Sequence, residues 1–141
     1  IDGLELLAVY NKSSEAMKRM GKEESIPDGY LYGSAQEDSR YVLENGMKFD
    51  VDFVDGQKTG FFLDQRCNRD LLRRMSQGRR VLNTFCYTGG FSVAALKGGA
   101  KSVTSVDCSA KAIEACRANL VLNGYDAGAN PCIRCPKGRL T

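Results

Sequence analysis

At 141 residues, with 43% hydrophobic and 26% charged side chains, the chain has the make-up of a folded globular domain, not of a disordered or fibrous one. No apolar run approaches the roughly 18–20 residues needed to cross a bilayer, and no signal peptide is visible. Histidine is absent, which removes Ser-His-Asp and Cys-His catalysis and most zinc sites.

The first residue is Ile1 rather than Met, as in a processed product or a piece cut from a longer chain. The formal net charge of +3 is unevenly spread: residues 1–55 hold 12 acids and 6 bases, residues 56–141 hold 5 acids and 14 bases. A basic second half suits a polyanion or an anionic cofactor, or simply packs against the acidic first half. The six cysteines do not make a secreted disulfide framework and fit the reduced thiols of a cytoplasmic protein.

In chain order, "LELLAVY" at 4–10 predicts a strand. Ser13 or Ser14 with Glu15 caps a short helix reaching Met20, and the acidic, turn-rich stretch 21–39 reads as an extended connector. "RYVLENGMKFDVDFVDG" predicts a hairpin, because apolar residues flank an Asn45-Gly46 pair suited to a two-residue primed turn. Met47, Phe49, Val51 and Phe53 then share one face. Gly60–Leu63 reads as a short strand and Gln65–Gln77 as a helix, with Asn68, Leu71, Leu72 and Met75 on its inner side. Arg66, Arg69 and Arg73 fall on the opposite, outer side.

From Arg80 the pattern becomes strand–helix–strand–helix: "VLNTF", "GGFSVAALKGG", "KSVTSVD" and "SAKAIEACRANLVLNG". Ser109 is placed to cap the last helix, Ile113, Cys116 and Leu120 form its buried stripe, and Gly124 ends it. Strands alternating with helices at this spacing predict an α/β fold with right-handed crossovers and a parallel sheet. "PCIRC" is a candidate short third strand. The expected organisation is an N-terminal subdomain with a β-hairpin over 1–56, then an incomplete Rossmann-like sheet over 57–141.

Ligands of open parallel sheets bind beyond the carboxyl ends of the strands. There the turn Tyr87-Thr88-Gly89-Gly90 leaves the first strand, with glycines that allow close approach to the main chain. Asp107, with Cys108 beside it, ends the second strand and is placed to accept the hydroxyls of a ribose. This constellation reads as a site for a nucleoside-containing cofactor. The dinucleotide fingerprint G-x-G-x-x-G is not met, and Tyr87 crowds the place where a pyrophosphate would sit. S-adenosylmethionine, whose sulfonium suits nearby aromatic rings such as Phe85, Tyr87, Phe61 and Phe62, fits better than NAD. Six arginines, 66, 69, 73, 74, 79 and 80, stand against one acid, Asp70; such a face serves phosphate contacts or is merely solvated. Cys132-x-x-Cys135 supplies only two of four zinc ligands, so no metal site is expected.

The ordered set "GQKTGFFLDQRCNR", "VLNTFCYTGGFSVAAL" and "SVTSVDCSAKAIE" resembles the class I methyltransferases of 23S ribosomal RNA, and among them the large-subunit cytosine-5 methyltransferase family. The likeness runs from about Tyr41 to Gly124, with a weaker echo in "VYNKSSEAMKRM" and "GYLYG". It implies that Phe85, Tyr87, Thr88, Gly89, Gly90, Phe91 and Asp107 hold S-adenosylmethionine. It further implies that Lys58, Thr59, Phe61, Phe62, Asp64, Gln65 and Arg66 line the pocket for the methionine end and the target base. It makes RNA contact the favoured role of Lys58, Arg69 and Arg73. A related guanine-N7 branch shares "FLDQR" and "YTGGF"; a nicotinamide-dependent oxidoreductase and a non-catalytic RNA-binding module are the readings from other classes. The family's nucleophilic cysteine follows an Asp-Pro-Pro motif that these residues do not include, so Cys132 is not assigned that part. A sheet of two or three strands leaves an open edge and uncovered apolar faces, from which a chain that is marginal alone, self-associated or incompletely ordered beyond about Gly124 is expected. Without the family's cysteine, no turnover is expected.

Overall fold

The structure is a computed structural model that describes residues 5–21, 26–34, 41–56 and 59–135. Lys58, an expected RNA contact, lies outside them. Among the described residues there are three small sheets and four α-helices. β1 (Ala8–Asn11) pairs antiparallel with β2 (Gly29–Gly33), and helix α1 (Ser14–Arg19) lies between them in sequence. The paired segment starts later than the expected 4–10 strand, because its partner is "GYLYG", hidden in what reads as a connector. Ring contacts reward that pairing: Tyr10 meets Tyr30 at 5.0 Å and Phe53 at 5.7 Å, both edge-on. Ser13 caps α1 by position only; the first helical amide, of Ser14, instead donates to Asp28 Oδ1 at 2.9 Å.

β3 (Tyr41–Glu44) and β4 (Met47–Asp50) form the hairpin, with Asn45 at φ 51° and Gly46 at φ 74° as the primed turn requires. Met47, Phe49 and Val51 are buried as the alternation predicts. Phe53 has left the strand for a turn. The expected strand at 60–63 is absent; a bend at Gly60–Phe61 leads into a 3-10 turn (Leu63–Gln65) and then α2 (Arg66–Met75).

The inner face of α2 is turned from the one read from its leucines: Leu72 packs against the core as expected, but its neighbours do not. Leu71 and Met75 are exposed, whereas Arg69 is only 2% exposed. The cause is tertiary. Glu44, itself buried, takes the Arg69 guanidinium in a two-pronged pair, Nε–Oε1 and Nη2–Oε2 both 2.7 Å. Nη1 donates to the Phe62 carbonyl at 2.9 Å, and the guanidinium lies 4.4 Å from the Phe61 ring centre. Every nitrogen of the cation is therefore used.

β5 (Arg80–Thr84), β6 (Ser102–Asp107) and β7 (Cys132–Arg134) build one parallel sheet in the order β5-β6-β7. Helices α3 (Gly90–Lys97) and α4 (Ala110–Leu122) cover one face, where Val103 and Ser105 are buried. A buried polar chain runs through that layer: Asn83 Nδ2 donates to Ser92 Oγ at 2.8 Å, and Ser92 and Ser105 hydroxyls meet at 2.7 Å. On the other face Leu82 is 65% and Ile133 48% exposed. Ser109 Oγ caps α4 by accepting the Ala112 amide, and Ile113, Cys116 and Leu120 form its buried stripe. The apolar core is continuous across the expected boundary at 56/57: Phe49 and Phe61 stack at 4.9 Å and belong to one cluster with Val93, Val103 and Leu120.

Candidate cofactor site

Parallel strands end together, so the exits of β5 and β6 bring Phe85–Thr88 beside Asp107. Two aromatic residues in this turn have left-handed backbones, Phe85 at φ 58° and Tyr87 at φ 47°. That conformation costs a bulky L-residue roughly 1–2 kcal/mol, and neighbours fix it. The Cys86 amide donates to the Val106 carbonyl at 3.0 Å and the Tyr87 amide to Asp107 Oδ2 at 3.0 Å. Asp107 Oδ1 accepts the Ser109 amide at 2.9 Å. Each carboxylate oxygen thus spends one lone pair on the backbone and keeps another for a ligand.

The glycines of the turn also serve packing. Gly89 has φ 80°, and a Cβ there would stand 2.5 Å from the Cys116 sulfur in α4. A Cβ on Gly90 would press on Arg69 Cδ at 3.3 Å. Both glycines thus let α4 and the Arg69 side chain close in behind the turn.

A cleft of about 840 Å³ opens in front of it. Phe85, Tyr87, Thr88, Asp107 and Cys108 line it, as does Phe62. Phe85 is 88% exposed, an unusual state for an aromatic residue in a strained backbone. Tyr87 spans the cleft's base: its hydroxyl donates to the Gly60 carbonyl at 3.3 Å and its ring meets Phe62 edge-on at 5.4 Å. The opposite wall was not read from the sequence. It comes from the hairpin and its following turn (Asp50, Asp52, Asp55) and from Lys111 on α4. Lys12 steadies that wall by donating to the carbonyls of Phe53, at 2.9 Å, and Gly56. Lys111 pairs with Asp52 at 2.9 Å. Burial alone would raise the Asp52 carboxyl, but the Asp55 amide and Lys111 hold it below the ordinary value, and the bond to Asp52 raises Lys111.

Other expected residues lie elsewhere. Phe61 is buried core beneath Arg69, Asp64 is exposed with its carboxylate on Gln65, and Gln65 in turn accepts from Asn68. Arg66 borders a separate surface cleft with Cys67, Leu71 and Arg74. Phe91, Gly89 and Gly90 stand behind the turn at the start of α3. Arg69 is removed from RNA contact by its burial against Glu44, and Arg73 is tied to Asp70 at 2.7 Å. Of the cysteines, Cys86, Cys116 and Cys132 are buried. The bond from Cys86 and burial push the Cys116 thiol far up; burial, then Cys116, pushes Cys132 up to about 11. Neither supplies a thiolate near neutrality.

Comparison with known proteins agrees with this geometry. Residues 18–134 match the family model of S-adenosylmethionine-dependent methyltransferases. A ribosomal RNA large subunit methyltransferase I from Aeromonas hydrophila is 44% identical over 130 residues, 90% of this chain and 32% of that protein. A candidate SAM-dependent methyltransferase from Streptococcus mutans superposes with a TM-score of 0.70 at 38% identity, over 77% of this chain and 29% of that one. A further candidate methyltransferase, solved with SAH, gives a TM-score of 0.70 at 37% identity, over 78% and 29%. The chain spans about a third of the length of the curated relatives it matches. With the family model covering most of its length, this chain belongs to the S-adenosylmethionine-dependent methyltransferases.

Proposed function

We propose that the chain carries the cofactor-binding part of an enzyme that methylates ribosomal RNA, with cytosine C5 of 23S rRNA as the target. The relatives' printed activity supports the substrate class, and the resemblance read from the sequence supports the base. The observation that carries the reading is Asp107, whose two carboxylate oxygens are aimed by the Tyr87 and Ser109 amides on the rim of the cleft. Its free lone pairs are set for vicinal ribose hydroxyls. The cleft has the volume of an ordinary small-molecule site, and its mix of open aromatic faces with one oriented acid fits an adenosyl ligand. S-adenosylmethionine, when bound, supplies an electrophilic methyl group.

The residues here bind and orient. Asp107 holds the sugar, Phe85 offers an exposed ring for stacking or for a cation, and Tyr87 keeps the base of the cleft closed. The hairpin and its following turn, residues 50–56, form the second wall. RNA contact falls to the exposed arginines Arg66, Arg79 and Arg80, in place of Arg69, and the working compartment is the cytoplasm.

Calorimetry with S-adenosylhomocysteine and with NADH tests this. The chain is expected to bind S-adenosylhomocysteine and not NADH, and Asp107→Ala to weaken binding by about tenfold or more, the effect of losing hydrogen bonds to a charged acceptor. Heat with NADH alone would overturn the reading.

A further inference from the structure

Asn119 lies in the last turn of α4 and is wholly buried. Both ends of its amide are used. Oδ1 accepts the Asp50 amide of β4 at 2.8 Å, and Nδ2 donates to the Thr88 carbonyl at 2.8 Å. One turn later Asn123 makes a related pair of bonds to β4: Oδ1 accepts the Lys48 amide at 2.9 Å and Nδ2 donates to the Lys48 carbonyl at 2.7 Å, and Nδ2 also donates to the Asn119 carbonyl at 2.7 Å. The spacing explains why this works. Residues four apart on a helix advance about 6 Å, and residues two apart on a strand advance about 6.7 Å. The helix thus offers the outer edge of β4 a ladder of side-chain amides. Only one rung, Asn119, also reaches the turn that faces the cleft.

We infer that Asn119 is a positioning residue for the cofactor site, holding Thr88 at a fixed distance from the hairpin wall. Asn119 is not among the residues lining the cleft; it acts through the Thr88 carbonyl. One direct tie between the two walls of the cleft, Phe85–Thr88 on one side and Asp50–Asp55 on the other, runs through this amide. The inference rests on the adenosyl-ligand reading for its consequence in binding, but the link itself is independent of any ligand.

The test uses the chain with three substitutions. Asn119→Asp keeps an acceptor for the Asp50 amide and places an acceptor where the donor to Thr88 stood. Asn119→Ser is a neutral, shorter replacement in case the buried carboxylate prevents folding. Asn123→Asp disturbs the neighbouring rung and leaves the turn alone. Circular dichroism checks folding, calorimetry gives the affinity for S-adenosylhomocysteine, and amide hydrogen exchange follows Gly89, Lys48 and Asp50. For whichever Asn119 variant folds, binding is expected to weaken about tenfold. Exchange at Gly89, whose amide closes the turn on the Cys86 carbonyl at 2.8 Å, is expected to quicken. Asn123→Asp keeps an acceptor for the Lys48 amide and should leave both Gly89 exchange and binding within about twofold of the parent. Equal loss of binding in the Asn119 and Asn123 variants would reduce Asn119 to a hairpin anchor and overturn the inference. So would unchanged Gly89 exchange in both Asn119 variants. If the parent chain takes up no S-adenosylhomocysteine, the functional reading fails, and the Gly89 exchange still decides the link.

Discussion

The hairpin region is fastened to the rest of the molecule by an ion pair at each end. At Glu44 the partner is Arg69, and both are almost wholly out of water. At Asp52 the partner is Lys111, with side chains 36% and 67% exposed. The buried pair is planar, two-pronged and backed by an aromatic ring and a carbonyl. The exposed pair is a single contact of a flexible ammonium. Burial makes the first pair all-or-nothing, since either charge left alone has no water to fall back on. The second pair can part and rejoin with solvent filling in. A rigid hinge end and a yielding rim end suit a wall that borders a binding cleft.

Removing one buried partner gives the largest expected effect. Arg69→Met or Glu44→Gln should cost about 3–5 kcal/mol, read as a loss of the cooperative thermal transition or a marked fall in its midpoint. Wild-type stability in either variant would show that the pair is open to water. A smaller effect is expected for the double replacement Arg69→Met with Glu44→Met, which leaves no stranded charge and should recover most of the stability lost in the single variants. Purely additive losses would break the comparison.

The smallest effect belongs to the rim. Lys111→Met should leave the thermal midpoint within error of the parent. The titration signs set the window in which this tie exists. Asp52 is held below its ordinary 3.8, so its contribution is present above that value and lost as the pH falls through the folded one. Lys111 is raised above 10.5, so its contribution is complete below that value and lost as the pH rises through the folded one. The parent and Lys111→Met should therefore converge in acid, below about 3.8, as read by hydrogen exchange in the turn after β4. A difference that persists there would assign Lys111 another partner.

Much of the α/β half was legible because its signals are local. Asn45-Gly46, the Ser109 cap and the 113–116–120 stripe each depend on residues a few positions apart. The errors occurred where distant residues decide. Leucine spacing on α2 points Leu71 and Met75 inward, but the counter-charge for Arg69 comes from a strand 25 residues earlier, and periodicity carries no record of it. β2 escaped notice because its partner lies across a helix and a polar stretch. The cleft's acidic wall was missed for the same reason, being supplied by the hairpin. Asp107 was readable from its place at a strand end; the purpose of Gly89, room for Cys116, was not.

The bend at Phe85–Tyr87 has one more consequence. Its awkward torsions are imposed by main-chain donors during folding, so the mould is already cast when a guest arrives. Capture then needs little rearrangement of the pocket floor, and whatever selectivity the site has comes from shape present beforehand.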